Sequence, residues 1–493
     1  MTLPPDANAA ADVVVADVTD WSGPGAPSSA AAVDALLDRI ARLNPALHAV
    51  LETDESGARA QAALRDAETA AGYRRGPLHG VPFLVKGNID VGPTSPLRTT
   101  AGSAALAGSA PPAADAPALA RIRAAGGVLI GSANLSEWAN FRSTGSSSGW
   151  SALGGQCRNP HGPDYSPGGS SAGSGAAVAA RLAPFALGTE TNGSILCPAS
   201  LNGVVGVKPT LGLVPGQGVV PIAGSQDVIG PLARTVADAA LVWSVLAGRE
   251  PVTLSPRALD GARIGIPRAV YCGYDAAADA ALEAALGVLS RLGAVIIDPA
   301  DISTAAALRD EPHEMTLLLC EFRDDLAAYL TSRPGGPAGL ADIIAFNLEH
   351  AELELAFFDQ DLLERSAASG GRNDPAYAPA RAACLRLART EGIDATLARH
   401  QLDALLMPSY PAAWPIRLGS GGDGNIAGSG AAPTAIAGYP AVTVPAGLSP
   451  QGLPLGVMFA GTAGTDARLL GYAYAFEQAT HHLVDPMVLA TPH

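Results

Sequence analysis

Two glycine–serine clusters stand in PGGSSAGSGAAVAARLAPFALGTETNGSILCPAS, which runs from Pro167 to Ser200 without a histidine. A serine hydroxyl attacks a carbonyl efficiently only when a base takes its proton. The stretch therefore asks which serine attacks and what replaces histidine. Gly169-Ser170-Ser171-Ala172-Gly173 fits G-x-S-x-G with Ser171 at its centre, and His481 and His482 lie downstream. That pattern makes a nucleophile elbow only where a strand feeds straight into the turn. The preceding QCRNPHGPDYSPGG carries Pro160, Pro163 and Pro167 and reads as a loop. A phosphate cradle at the helix start fails too, since no GxxxxGK follows. Taken alone, the block reads as well as a flexible linker entering an alanine-rich helix.

The second cluster has a better setting. Thr191-Asn192-Gly193-Ser194 follows FALGTE, a run of strand type. Small residues at a strand exit let consecutive backbone N–H groups converge on one point, as an oxyanion hole requires. Upstream, LHGVPFLVKGNIDV places Lys86 at the end of an apolar run. Burial there disfavours the ammonium form and lowers the pKa towards neutrality, which makes Lys86 a candidate general base. A serine–lysine system answers the missing histidine.

These residues need a scaffold of buried strands. The runs HAVLET, VPFLVKG, GVLIGSAN, FALGTET, VVGVKPT, ARIGIP, ALLMPS, AVTVPAG and LGVMFAG have strand length and end in small or turn residues. Helical patterns lie between several of them: APALARIRAAG, SAGSGAAVAARLA, TVADAALVWSVLAG and ADAALEAALGVLSRLG. Near the N-terminus, Val33, Leu36, Leu37, Ile40 and Leu43 recur at helical spacing behind Ser28 and Ser29, which suit an N-cap. The alternation predicts an α/β protein with a large, mostly buried sheet flanked by helices. From Pro312 to His400 amphipathic helical text replaces the strands, so a helical excursion is expected before the last strands rejoin the sheet. One domain over 1–493 then comprises an N-terminal helical segment (1–70), a catalytic core (71–311), the excursion (312–400) and returning strands with a C-terminal helix (401–493).

The composition narrows the function. A net charge of -15 and a pI near 5.0 argue against electrostatic attraction to nucleic acid or anionic membranes. Five scattered cysteines without a CxxC pair argue against a disulfide framework or a structural zinc. The histidines show no metal-ligand spacing, and the first residues, MTLPPDANAAADVVVADVTDW, carry acids where a secretory leader has basic residues. A soluble cytoplasmic protein without a metal or cofactor is expected; the oligomeric state is not readable.

The segments LHGVPFLVKGNIDV, TTAGS, GGSSAGSGAAVAA, GTETNGSILCPASLNGVVGVKPT, GPLARTVADAA and AGYPAVTVPAG, in that order, resemble the amidase signature family from about Leu78 to Thr480. The wording NLSEWANFRSTGSSSGWSALGGQCRNP is most similar to its bacterial peptide amidases. The resemblance implies an amidase signature fold and a Ser–cis-Ser–Lys triad. It makes Ser194 the acyl-forming nucleophile, Ser170 the bridging serine after a cis Gly169–Ser170 bond, and Lys86 the base. It further implies oxyanion donors among Thr191, Asn192, Gly193 and Ser194, support from Ser171, and an oxyanion loop braced by Glu190. Gly87, Asn192 and Leu196 depart from the commoner family text, where aspartate, glycine or aspartate, and arginine or a small polar residue are usual.

An isolated lysine after a strand is more often a surface end-cap, and serines in such text more often solvate a loop. Here their pairing across three motifs favours catalysis. Cys197 reads as a small buried hydrophobe, and Trp138, Phe141 and Trp150 as core filling or channel wall. The expected activity is hydrolysis of carboxamides to acid and ammonia, with C-terminal peptide amides as the leading substrates. Small aliphatic or aryl amides are the alternative, and a catalytically silent subunit or binding protein is the reading of another class. The excursion and the loops Ser143–Trp150 and Gly419–Gly430 are expected to shape the substrate site.

Overall fold

The computed structural model describes residues 17–22, 26–423 and 430–486. The N-terminal stretch 1–16, in which no leader pattern is read, and residues 424–429 of the glycine-rich loop lie outside the described residues.

Strands drawn from nearly the whole chain join one mixed sheet of eleven. In chain order they are β1 (Val50–Thr53), β2 (Pro82–Lys86), β3 (Val128–Ala133), β4 (Phe185–Glu190), β5 (Val205–Lys208), β6 (Val228–Ala233), β7 (Arg263–Gly265), β8 (Val295–Ile297), β9 (Ala404–Pro408), β10 (Ala441–Leu448) and β11 (Pro454–Ala460). Across the sheet they run β1-β3-β2-β4-β6-β5-β10-β11-β9-β7-β8. β2 is parallel to β3 and β4, and β7 is parallel to β8 and β9. The other neighbours are antiparallel. This is the α/β class expected from the alternating text.

The continuous apolar runs follow from burial on both faces. Phe83 and Val85 of β2 join the core on one side of the sheet, with Phe185 and Leu187 of β4. Leu84 and Ala186 join the core on the other side. Helices Pro117–Ala124, Val236–Ala247, Ala276–Arg291 and Asp466–Thr480 supply buried residues to the first core, and Ser29–Leu47 and Ala172–Ala179 to the second. Ser28 caps the N-terminal helix, its hydroxyl accepting from Ala31 N–H at 3.2 Å.

By the alternation along β2, Lys86 lies on the Leu84 face, where the Ala172–Ala179 helix packs. Every residue of that helix is buried, and its text AGSGAAVA keeps it thin. A Cβ on Gly173 would stand 2.2 Å from Ala49 O and 2.5 Å from Asn134 N, both backbone atoms that cannot swing aside. Gly173→Ala is expected to destabilise the protein by about 1–3 kcal/mol through overpacking, measured by denaturant unfolding.

Among the described residues, the chain between β8 and β9 forms helices and no strand. This excursion docks through Phe322, Leu326, Ile343 and Leu363 against Trp138 and Phe141. Two strands of this sheet are absent from the sequence reading. β6 contains Gly230 and Pro231, which read as punctuation. Its ladder with β5 pairs only Leu232 and Ala233, so Pro231 lies beyond it, where no amide hydrogen is required on that side. β8 is a three-residue edge strand, too short for a pattern. No helix among the described residues is long and apolar enough to cross a membrane, and no cluster of three or more metal-ligating side chains occurs among them.

Candidate active site

β2 ends on Lys86, which has no exposed surface. Its Nζ lies 2.7 Å from Ser170 Oγ, 2.8 Å from Thr189 Oγ1 and 3.3 Å from Thr189 O. Thr189 Oγ1 also accepts from Asn88 Nδ2 at 3.1 Å, which fixes its place. Burial pushes the Lys86 pKa down from 10.5 to about 7, against the opposing pull of Asp227 and Glu190. A neutral amine has two hydrogens and one lone pair. With both hydrogens given to Thr189, the lone pair is left for the Ser170 hydroxyl.

Ser170 sits just before the Ala172–Ala179 helix, fully buried, after a cis Gly169–Ser170 peptide bond. Its carbonyl accepts from Ser136 N–H at 3.0 Å. A Cβ on Gly169 would lie 2.3 Å from Ser136 Oγ and 2.8 Å from Ser148 Oγ, so a larger residue there would have to displace both hydroxyls. Ser171 is equally buried, and its hydroxyl bridges Thr189, donating to the carbonyl and accepting from the N–H. Ser194 retains 8% exposure where Lys86, Ser170 and Ser171 have none. Among the serines of the two motifs that the sequence singles out, Ser194 is thus the one a substrate can reach. Ser171 N–H donates to Ser194 O at 3.1 Å, joining the two serine segments.

The loop after β4 is held by its carbonyls and leaves its N–H groups open. Thr191 O accepts from Gln226 Nε2, Gly193 O from Cys197 N–H and Ser194 O from Ser171 N–H. Among the described residues, nothing accepts a hydrogen bond from the backbone N–H of Asn192, Gly193 or Ser194. Each peptide unit is planar, so fixing Thr191 O and Gly193 O also fixes the N–H directions of Asn192 and Ser194. Glu190 Oε2 accepts from the N–H groups of Ile195 and Leu196 at 2.8 and 3.0 Å, holding the next turn. Thr191 Oγ1 donates to Asp227 at 2.6 Å. Burial raises the Asp227 pKa to about 7 despite three hydrogen bonds to its carboxylate.

The arrangement offers a serine that keeps a little exposure, a buried hydroxyl paired with an amine able to lose its proton near neutral pH, and, among the described residues, a row of open backbone donors. That is equipment for acyl transfer. Residues 31–470 match the family model described as Amidase. The chain belongs to the amidase family. Peptide amidase from Stenotrophomonas maltophilia is similar in structure at 45% identity, with a TM-score of 0.88 over 95% of this chain and 98% of that one. A probable amidase of Arabidopsis thaliana is 37% identical over 91% of this chain and 86% of its own. A glutamyl-tRNA(Gln) amidotransferase subunit of Roseiflexus castenholzii is 35% identical over 95% and 96%. The protein is a hydrolase acting on amide C–N bonds.

The three departures from common family text have local explanations in this amidase. A Cβ on Gly87 would meet Leu51 Cδ1 at 2.8 Å, so a half-buried leucine fills the space beside the backbone. Leu196 is fully buried among Cys197, Leu201 and other apolar residues, with its N–H still on Glu190. Asn192 Nδ2 donates to Glu314 Oε1 at 2.9 Å, a partner from the helical excursion. Cys197 is buried and its thiol pKa is raised by desolvation, consistent with a packing residue. Trp138 and Phe141 fill core, while Trp150 meets Phe357 and Phe358 edge-on.

The regions expected to shape the site do come together. Ser148 N–H donates to both carboxylate oxygens of Asp423, and Ser143 Oγ donates to Asp359 and Asp361. The loop 143–150 thus links the excursion to the described part of the Gly419–Gly430 loop. Sequence reasoning missed Asn88, Thr189, Gln226, Asp227 and Glu314. Thr189 lay within reach, because it sits on the same strand exit as Glu190.

Proposed function

We propose that this amidase hydrolyses carboxamides to acid and ammonia through an acyl-enzyme on Ser194, and that its substrates are C-terminal amides of peptides. The observation that carries the reading is the buried Lys86 amine 2.7 Å from Ser170 Oγ with its remaining hydrogens directed to Thr189. Ser194 Oγ attacks the amide carbon while its proton passes to Ser170 and the Ser170 proton passes to Lys86. The C=O pair moves onto oxygen, where N–H groups of the 191–194 loop receive the charge. The C–N bond breaks as Lys86, through Ser170, returns a proton to nitrogen, and ammonia departs. Water then adds to the ester by the same relay and releases the acid and Ser194.

Peptide amides are favoured over small amides by the 45% identity with a peptide amidase across almost the full length. The test is ammonia release from a panel of peptide amides, acetamide-type amides and aryl amides. Peptide amides are expected to show kcat/KM at least about tenfold above the small amides, since remote contacts lower the barrier as well as KM. Turnover confined to small amides overturns the substrate class. Absence of turnover across the panel, with no fluorophosphonate adduct on Ser194, favours a silent binding protein.

A further inference from the structure

From the first turn of the His313–Leu330 helix, we infer that Glu314 is a positioning residue that aims the oxyanion donors, so that the helical excursion sets the rate of the chemistry as well as the shape of the site. The inference rests on Ser194 being the nucleophile.

Glu314 Oε1 accepts two hydrogen bonds, each 2.9 Å, from Asn192 Nδ2 and Gln226 Nε2. Gln226 Nε2 also donates to Thr191 O at 3.2 Å. A primary amide carries two hydrogens, so one goes to Glu314 and the other to the Thr191 carbonyl. Thr191 O and Asn192 N–H belong to one planar peptide unit. The carboxylate therefore grips that unit twice: through Gln226 at its carbonyl, and through the Asn192 side chain on its far side. What these contacts orient is the open N–H of Asn192, two residues before Ser194.

The grip is well made for orientation. Gln226 is 1% exposed, which restricts its amide to few positions. No cation lies within ion-pair reach of Glu314 among the described residues, so the two amides are its partners in place of a salt bridge. A helix anchor alone requires neither the Asn192 side chain nor a shared acceptor. The sequence offers no sign of this contact, because an acid in the first turn of a helix ordinarily serves the helix itself.

Glu314→Ala, Glu314→Gln and Gln226→Leu are assayed in the full chain on one peptide amide, with Ser194→Ala alongside. Glu314→Ala is expected to lower kcat about 10–100-fold with KM within about threefold, since misaiming a donor costs less than deleting one. Glu314→Gln recovers most of that loss, because its amide oxygen still accepts. Gln226→Leu falls to a similar rate, and the double variant is no worse than about twofold below the poorer single, the non-additivity of groups acting through one peptide unit. Inhibition by a peptide aldehyde, whose adduct puts an oxygen anion at the donors, weakens by the same factor as kcat/KM. The inference is overturned if Glu314→Ala keeps kcat within threefold, or if its loss appears only in KM with aldehyde affinity unchanged. Should Glu314→Ala not fold, Gln226→Leu decides by the same two readouts. An active Ser194→Ala overturns the nucleophile assignment; an inactive Ser194→Ala beside an unimpaired Glu314→Ala overturns this inference alone.

Discussion

Ser194→Ala is expected to lower kcat for peptide amide hydrolysis by about ten-thousand-fold or more, as removing the nucleophile from a catalytic triad does elsewhere. The loss should be chemical, because the contacts that hold this segment are made by backbone atoms. Ser194 O accepts from Ser171 N–H, and the N–H groups of Ile195 and Leu196 rest on Glu190, whatever side chain stands at 194. Alanine keeps all of these, so the melting temperature should stay within a few degrees of the parent. Ser171→Ala makes the instructive contrast. Its hydroxyl is buried and bonded to both the N–H and the carbonyl of Thr189. Removing it takes the acceptor from the buried Thr189 N–H, at about 1–3 kcal/mol for a group left unpaired, while the Thr189 carbonyl keeps Lys86 Nζ. Ser171→Ala is therefore expected to lose stability before chemistry and to retain fluorophosphonate labelling on Ser194. Unimpaired turnover by Ser194→Ala, or an adduct on Ser171 with none on Ser194, would return the elbow pattern to contention.

The scaffold was far more legible than the bracing of its site, and burial explains the difference. Strands covered on both faces must be apolar throughout, so β2, β3, β4, β9 and β11 stand out as short runs between turn residues. β6 did not, because Gly230 and Pro231 interrupt it: a Cβ on Gly230 would stand 2.0 Å from Val207 O, and Pro231 lies beyond the ladder with β5. Lys86, Ser170 and Ser194 could be picked out because their types are unusual for their settings: a lysine closing a buried strand, and serines at the starts of helical turns. Their partners could not. Thr191 meets Asp227 across 36 positions and Asn192 meets Glu314 across 122. Nothing local distinguishes these acids from those that solvate a surface or cap a helix. The departures from family text likewise find their reasons only in the packing around them. Leu51 occupies the space beside Gly87, and Glu314 supplies Asn192 with a partner.

Lys86→Met and Lys86→Arg separate the two things a lysine provides, a positive charge and a proton acceptor. Both are expected to lower kcat/KM by about 10²–10⁴-fold, the range of a general acid–base group. Arginine keeps a charge but stays protonated, so it cannot accept from Ser170. A substantially active Lys86→Arg would mean that charge alone suffices, and the relay would fall. Methionine has a similar length and carries no charge to desolvate, so the Met variant should fold at least as stably as the parent. The sign follows from linkage. The folded-state pKa is about 7 against an ordinary 10.5, so between those values the unfolded chain holds more protons and the lysine's contribution to stability rises with pH. Below about 7 the burial cost is present in full, and there the Met variant gains most. Activity rises with pH for a related reason: the amine must be free to accept. kcat/KM of the parent should climb through an apparent midpoint near 7 and fall about tenfold per unit well below it. Asp227 titrates in the same range and its charge raises the Lys86 pKa, so the midpoint belongs to the pair. Asp227→Asn removes that charge while leaving an oxygen for the N–H groups of Ile222 and Ala223. Its acid limb is expected to move to lower pH. A limb that moves upward, or a parent whose kcat/KM is flat from pH 5 to 8, would show that no amine at position 86 gates the reaction.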